Sequence, residues 1–228
     1  MKQQSLYQIE TPIEFFERGK EQLIQNDFTY QTKKIKFEMH YKHKLIPLEK
    51  LLEFQVENKE EGCLHVKPCN NYNRCYSCPP IAPNLNKYNS SYTHCLIYAF
   101  WCDWNFILDS SNPYFKLVNA NRTLSPLAFK YGQKLERILG GKDMIDGRCP
   151  ICIKCKASLE PRQPCPYPKQ RRSSLEAVGL DASALSEKIL NHPISWYLKK
   201  DKTITEPKYL TVIHGLLTNS KQPKEMVK

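Results

Sequence analysis

Apolar and polar residues alternate along several stretches of the chain, which is the pattern of a strand with one buried face. Alternation over residues 28–30 and 35–39 predicts a strand or hairpin. Residues 93–108 carry the strongest strand signal, and residues 209–217 predict a late strand. The apolar run at 95–102 is shorter than the roughly 20 residues of a membrane-spanning helix, so we interpret it as a buried strand.

Helical spacing of apolar residues, with capping residues at its ends, appears between the predicted strands. Residues 11–25 begin with an N-cap threonine and a proline, which predicts a first helix. Ser125, followed by a proline, predicts the start of a later helix that ends at Gly140. Asp181 is expected to cap a further helix, which Pro193 limits.

This order of elements predicts an α+β fold: a single domain with a mixed or antiparallel sheet, flanking helices and two cysteine-rich metal-binding loops. A chain of 228 residues is long enough for one well-buried core. We expect one metal-binding domain over residues 1–228, with the motif-bearing portion at about 60–215. Residues 199–228 form a basic C-terminal end that includes the late strand.

The chain contains ten cysteines, and the compartment decides how they are interpreted. Its first residues show no secretory signal pattern, so we expect a cytoplasmic protein with no membrane partner. Disulfides are rare in the cytosol, where grouped cysteines more often bind metal or carry out redox chemistry.

The formal net charge of +11 indicates anionic partners without identifying them. Part of this charge is local, because residues 149–172 contain six lysines and arginines against Glu160 alone. Thiolates around a metal would bring negative charge into the same segment, and nearby cations favour the ligating form of a thiol.

The clearest motif is a cysteine triplet, Cys149, Cys152 and Cys155, followed by Cys165 and a proline. The spacing Cys-x2-Cys-x2-Cys puts three thiolates on one tight loop, where they face three corners of a cubane, and a fourth cysteine completes the site. Zinc sites more often use pairs of ligands. The triplet therefore favours an iron–sulfur cluster of the 4Fe-4S type, with zinc as the alternative.

A second group of cysteines lies earlier in the chain, at Cys63, Cys69, Cys75 and Cys78. The Cys-x2-Cys pair at its end is compatible with zinc, iron–sulfur or a redox dithiol, although the prolines after it argue against a dithiol at a helix start. These four cysteines could form a second site, or Cys78 could donate the fourth ligand to the triplet. Both alternatives stay open from the sequence.

Other candidates carry weaker signals. Arg171 and Arg172 are candidate cofactor-binding residues, because they could hold an anion where the following helix begins. Their alternative role is structural: offsetting metal-site charge or pairing with Glu176. Cys95 and Cys102 lie on the predicted core strand and are expected to be buried thiols on opposite faces of it. The six histidines are interpreted as structural or solvent-exposed residues.

Two signatures resemble the family of predicted metal-binding proteins called domain of unknown function 2284. One is Cys-Asn-Asn-Tyr-Asn-Arg-Cys-Tyr-Ser-Cys-Pro-Pro at residues 69–80; the other is the cysteine triplet with Arg-Ser-Ser-Leu-Glu-Ala-Val-Gly-Leu-Asp at residues 172–181. The sequence departs from the family pattern at Tyr76, where tryptophan is usual, and at Pro166, where arginine is common. Cys75 is an addition to that pattern. The resemblance implies metal binding and no particular reaction.

Three classes of function follow from these observations. The first is a redox iron–sulfur protein that passes electrons to an acidic partner protein, with the basic surface steering that partner. The second is an iron–sulfur enzyme in sulfur or small-molecule chemistry, which the number of cysteines permits. The third is a structural zinc protein that binds nucleic acid through its charge, although no nucleic-acid motif supports it.

Overall fold

The computed structural model describes residues 24–31, 36–58, 69–88, 91–106, 113–195, 198–200 and 203–219. Cys63 and most of the helix expected at 11–25 lie outside these residues. The expected C-terminal end of that helix is wrong, because Ile24 and Gln25 already belong to the first strand. Extended pairing of this segment with the next strand overrides its helical signal.

Five strands form an antiparallel sheet: β1 Ile24–Gln31, β2 Lys36–Pro47, β3 His94–Asp103, β4 Lys142–Met144 and β7 Tyr209–Thr218. They lie side by side in the order β1-β2-β3-β7-β4, and every neighbouring pair is antiparallel. A separate two-stranded sheet pairs β5 Leu198–Lys200 with β6 Thr203–Thr205. The predicted α+β class is confirmed. The sequence allowed a mixed or an antiparallel sheet, and the five-stranded sheet is antiparallel.

Four α-helices are described: α1 Leu48–Leu52, α2 Leu85–Tyr88, α3 Pro113–Leu139 and α4 Ala182–Leu190. Asp181 caps α4 as predicted, since its Oδ1 accepts a hydrogen bond from the Ala184 N–H at 2.9 Å. In the part of the chain that the structure describes, no helix combines the length and apolarity needed to cross a membrane.

Helix α3 begins earlier than the sequence predicts. It starts at Pro113, so the predicted start at Ser125 is wrong and Pro126 lies inside the helix. A proline inside a helix removes one backbone hydrogen bond and strains the preceding turn. Packing outweighs that local cost here, because Leu124, on the N-terminal side of the proline, and Ala128, beyond it, are both buried in the same core.

Strand β3 lies at the centre of the sheet and has both faces covered. Leu96, Tyr98 and Phe100 pack with α3 on one face, while Ile97 and Ala99 pack with α1 and α4 on the other. A strand buried on both faces has a nearly continuous apolar sequence, which explains the run at its centre.

The two thiols of β3 are buried on opposite faces, as predicted. Cys95 belongs to the α4 side and Cys102 to the α3 side. Burial raises the pKa of Cys95 well above its ordinary value and that of Cys102 to about 12, so both thiols stay protonated. They belong to the core.

Candidate metal centre

The two cysteine-rich loops, residues 69–83 and 149–168, meet on one side of the molecule, which the sequence left open. Both are built from turns, with a short 3-10 helix at Lys156–Ser158. Hydrogen bonds join them: the Cys149 N–H donates to Ser77 Oγ at 3.0 Å, and the Tyr76 hydroxyl donates to the Gln163 carbonyl at 2.7 Å. Arg162 donates to Asn73 Oδ1 at 2.8 Å and to the Asn73 carbonyl at 3.3 Å. The position of the cysteine triplet therefore depends on the earlier loop.

A pocket at this junction is lined mainly by thiols. Its five cysteines are Cys75, Cys149, Cys152, Cys155 and Cys165. Of the residues that the structure describes, no histidine, aspartate or glutamate lines it, and no three such side chains or cysteines are arranged to hold a single metal ion. The donor set is entirely soft thiol sulfur, which is the set that iron–sulfur clusters and structural zinc use. By the chemistry of its donors, and not by their present spacing, the pocket therefore fits a thiolate-bound metal group.

The four cysteines of the later loop all reach this pocket, whereas those of the earlier loop differ from one another. Cys75 lines the pocket, and its thiol donates a long hydrogen bond of 3.9 Å to Asn71 Oδ1. Cys78 is buried and does not line the pocket, and neither does Cys69. Cys75 is thus the cysteine that the earlier loop presents to the pocket.

The surroundings of Cys75 favour its thiolate. The hydrogen bond with Cys78 lowers the pKa of Cys75 most strongly, burial acts against it, and the Arg148 guanidinium and Cys155 add to the lowering, which leaves the pKa at about 6. A thiol in this state is ready to bind a metal without first losing a proton at neutral pH.

A family model described as Predicted metal-binding protein (DUF2284) matches residues 52–213, a span that contains all ten cysteines. The chain belongs to this family. The resemblance inferred from the two signatures is therefore confirmed, and with it the prediction of a metal-binding protein. Neither the curated proteins nor the solved structures contain a match to the chain.

Cations surround the thiol pocket of this DUF2284 protein. The Arg171 guanidinium lines the pocket and lies 5.6 Å from the centre of the Tyr76 ring. Arg148 donates a hydrogen bond to the Ile153 carbonyl at 3.3 Å, on the outer turn of the triplet loop. Positive groups at these positions offset the charge that several thiolates bring together.

Arg172, the other arginine singled out from the sequence, lies in an ion pair away from the pocket. Its Nε and Nη2 donate to the two carboxylate oxygens of Glu136 on α3 at 2.5 and 2.7 Å, and both side chains are mostly buried. Glu136 also accepts the Asp143 N–H at 2.7 Å. The pair therefore attaches the end of the later cysteine loop to α3 and β4.

Replacing Arg172 by alanine is expected to lower the free energy of unfolding by about 2–3 kcal/mol, because Glu136 keeps a mostly buried charge without its cation. Urea unfolding measures this loss, with the metal content of each preparation recorded. Arg171→Ala is the matched control and is expected to cost less than about 1 kcal/mol. Equal losses, or a loss of metal from the folded Arg172 variant, would contradict the structural role.

A buried network that the sequence did not predict is centred on His214 of β7. The imidazole Nδ1 lies 2.9 Å from Asp143 Oδ2, and Nε2 lies 2.8 Å from Asp146 Oδ1. The Tyr98 hydroxyl donates to the other oxygen of Asp143 at 2.9 Å, and the Ser125 hydroxyl donates to Asp146 at 2.5 Å. We call these five residues the His214 network.

Charge in this network is balanced by protonation of the histidine. Burial alone would lower the pKa of His214, but the two aspartates raise it to about 9. Burial raises the pKa of Asp143, against the opposing effect of His214. Although burial acts in the same direction on Asp146, hydrogen bonds from His214 and Ser125 hold its pKa below the ordinary value. At neutral pH His214 is therefore a cation placed between Asp143 and Asp146.

The His214 network connects the core to the later cysteine loop through Asp146, which lies three residues before Cys149. Three residues span at most about 11 Å, so this carboxylate lies close to the first cysteine of the triplet. Backbone bonds also hold the segment, since the Ile145 N–H donates to the Ser173 carbonyl at 3.0 Å. In the sequence, the only indication of this network is a histidine within a mostly apolar strand.

Proposed function

We propose that this DUF2284 protein is an iron–sulfur protein of redox type, either an electron carrier or an accessory subunit that passes electrons to an oxidoreductase. The observation that carries the proposal is the convergence of five thiols from two loops on one pocket, three of them at the spacing Cys-x2-Cys-x2-Cys. This triplet supports iron–sulfur over zinc, whose ligands more often come in pairs.

The triplet would supply three ligands, and either Cys165 or Cys75 the fourth. When bound, such a cluster supplies one-electron transfer. The protein itself positions the loop that carries the ligands and balances the charge of their thiolates. The bond from the Cys149 N–H to Ser77 Oγ holds the start of the triplet loop, and Arg171 at the pocket wall offsets thiolate charge.

The site lies near the protein surface, as an electron carrier requires. Ile153, between the second and third cysteines of the triplet, is 98% exposed. A metal group held by this loop is therefore separated from an approaching protein by little more than the loop itself. No disulfide joins any of the nine cysteines that the structure describes, which is usual for a protein of a reducing compartment such as the cytoplasm.

Anaerobic purification followed by iron, sulfide and zinc analysis tests this proposal. We expect a brown protein with a broad absorption band near ~400 nm and about four irons per cluster. Cys155→Ser is expected to lose most of this iron, since Cys155 belongs to the triplet and lines the pocket. Cys95→Ser, a buried thiol of the core strand, is the control and should retain the iron.

A colourless protein with stoichiometric zinc, even after anaerobic reconstitution with iron and sulfide, would overturn the redox proposal. It would favour the structural zinc role and binding of nucleic acid. Equal loss of iron from both cysteine variants would show that the substitution acts on folding and not on the centre.

An iron–sulfur enzyme in sulfur or small-molecule chemistry is a second candidate, supported by the fifth thiol. A cubane takes four thiolates, whereas the pocket presents five. The extra thiol could act on a bound small molecule. Iron content that survives Cys75→Ser, together with a change in the reactivity of the loaded protein toward small thiols or disulfides, would favour this candidate over the carrier.

A further inference from the structure

The surface over the thiol pocket has an apolar centre. Ile153 is 98% exposed at the tip of the triplet loop, and Tyr167, which lines the pocket, is 46% exposed. The other large hydrophobic side chain of the described residues with comparable exposure is Leu52, on α1. An isoleucine held almost wholly in water beside the thiol pocket is an apolar contact point that no residue in the described part of the chain covers.

Positive charge surrounds this centre. Arg148 is bonded to the Ile153 carbonyl, Lys154 follows Ile153 directly, and Lys156 follows Cys155. All three are exposed, and Arg171 lines the pocket itself. We call Ile153, Tyr167 and these four cations the docking face.

We propose that the docking face binds an acidic one-electron carrier protein, an inference that rests on the proposed redox function. Transient electron-transfer complexes have small interfaces, in which complementary charge steers the approach. The apolar centre would then exclude water where the two redox centres come closest. A basic rim around Ile153 matches a partner that surrounds its own redox centre with carboxylates.

The composition of the face favours a protein over a nucleic acid. Its apex is an aliphatic side chain, which can be buried against an apolar spot on a protein but has no partner among phosphates. Single-stranded nucleic acid is bound mainly by aromatic platforms beside cations, and Tyr167 is the one exposed aromatic side chain on this face.

Stopped-flow electron transfer from the reduced, iron-loaded protein tests the proposal, with an acidic flavodoxin as the probe and basic cytochrome c for comparison. For Lys154→Glu we expect the rate with flavodoxin at low salt to fall by about tenfold and the rate with cytochrome c to rise. Added salt should slow the wild-type reaction with flavodoxin. Lys188→Glu, the same charge change on α4, is the control and should alter either rate by less than about twofold.

Titration of labelled flavodoxin with each protein measures binding separately from electron transfer. Ile153→Ser should weaken this binding without changing its dependence on salt. Equal effects of the two lysine variants, or a rate with flavodoxin that is independent of salt, would overturn the proposal. So would a labelled single-stranded RNA that binds more tightly than flavodoxin and loses that binding in Lys154→Glu.

Failure of the redox function itself has a different signature. A protein that holds no iron transfers no electrons to either probe, and metal analysis of the same preparation identifies that case. If such a protein still binds flavodoxin with the expected dependence on Lys154, the docking face stands and the redox function fails.

Discussion

Replacing His214 by leucine is expected to lower the free energy of unfolding by about 3–5 kcal/mol near neutral pH. His214 is fully buried and hydrogen-bonded on both ring nitrogens, to Asp143 on one side and Asp146 on the other. Leucine has a similar volume but no charge and no donor. The variant therefore leaves two carboxylates facing each other without the cation that separates them.

The dependence on pH distinguishes this charge effect from a simple packing defect. The folded protein raises the pKa of His214 from about 6.5 to about 9. A group whose pKa is raised on folding stabilises the fold fully below its unfolded pKa, and that contribution is lost as the pH rises through the folded value. Wild-type stability should therefore include a fall between about pH 6.5 and 9 that the variant lacks.

Urea unfolding at several pH values across this range measures both effects. His94→Gln is the matched control, because it replaces a less buried histidine at the start of β3 and should change stability by less than about 1 kcal/mol. If the two histidine variants lose the same stability, or if the His214 variant keeps the wild-type fall at alkaline pH, the network does not hold a buried cation.

Replacing Gly132 by alanine is expected to lower the free energy of unfolding by about 3 kcal/mol. Alanine is normally the better helix former by about 1 kcal/mol. At this position on α3, however, an added Cβ would lie 2.1 Å from Asp143 Oδ2 and 2.5 Å from the Tyr98 hydroxyl. Both groups are buried, so the methyl group must displace the His214 network or push the helix away from the sheet.

Thermal and urea unfolding of Gly132→Ala, compared with Gln133→Ala, test this expectation. Gln133 is the next residue of the same helix and is exposed, so its replacement should change stability by less than about 0.5 kcal/mol. A stabilised Gly132 variant would mean that Asp143 and Tyr98 do not pack against the helix backbone. In combination with Tyr98→Phe, the loss should be smaller than the sum of the two single effects, because one of the displaced groups is gone.

The sheet and several helix ends were predictable because their signals are local. The apolar run of β3 and the late strand β7 reflect burial on both faces, which any sequence must satisfy with consecutive apolar residues. Asp181 before α4 is likewise a short-range signal, because the cap bonds to a backbone N–H three residues away.

The start of α3 and the His214 network were not predictable in this way. Pro126 is a strong local reason to begin a helix, and only the packing of Leu124 against the sheet reveals that the helix begins earlier. His214 lies 71 residues from Asp143 and 68 from Asp146, so nothing near it in the sequence indicates an ion pair. Such pairs depend on strand order, which periodicity does not specify.

One part of the candidate site was likewise predictable from local spacing, and the other part was not. The spacing of the later cysteines predicts that they share one centre, and the structure places Cys149, Cys152, Cys155 and Cys165 around one pocket. Which of the earlier cysteines lines the pocket depends on the hydrogen bonds between the two loops, and the sequence does not show these bonds. Tyr76 and Ser77 make two of these bonds and directly follow Cys75, which lines the pocket.

The position of β7 in the sheet has a consequence for the order in which the protein is assembled. This strand follows both cysteine loops in the chain, yet it lies between β3 and β4 and carries the histidine that holds Asp146. During synthesis, all the thiols of the pocket leave the ribosome before the strand that supports their loop. Metal delivered to the nascent chain would meet an unsupported loop, so stable loading is expected to follow completion of the sheet.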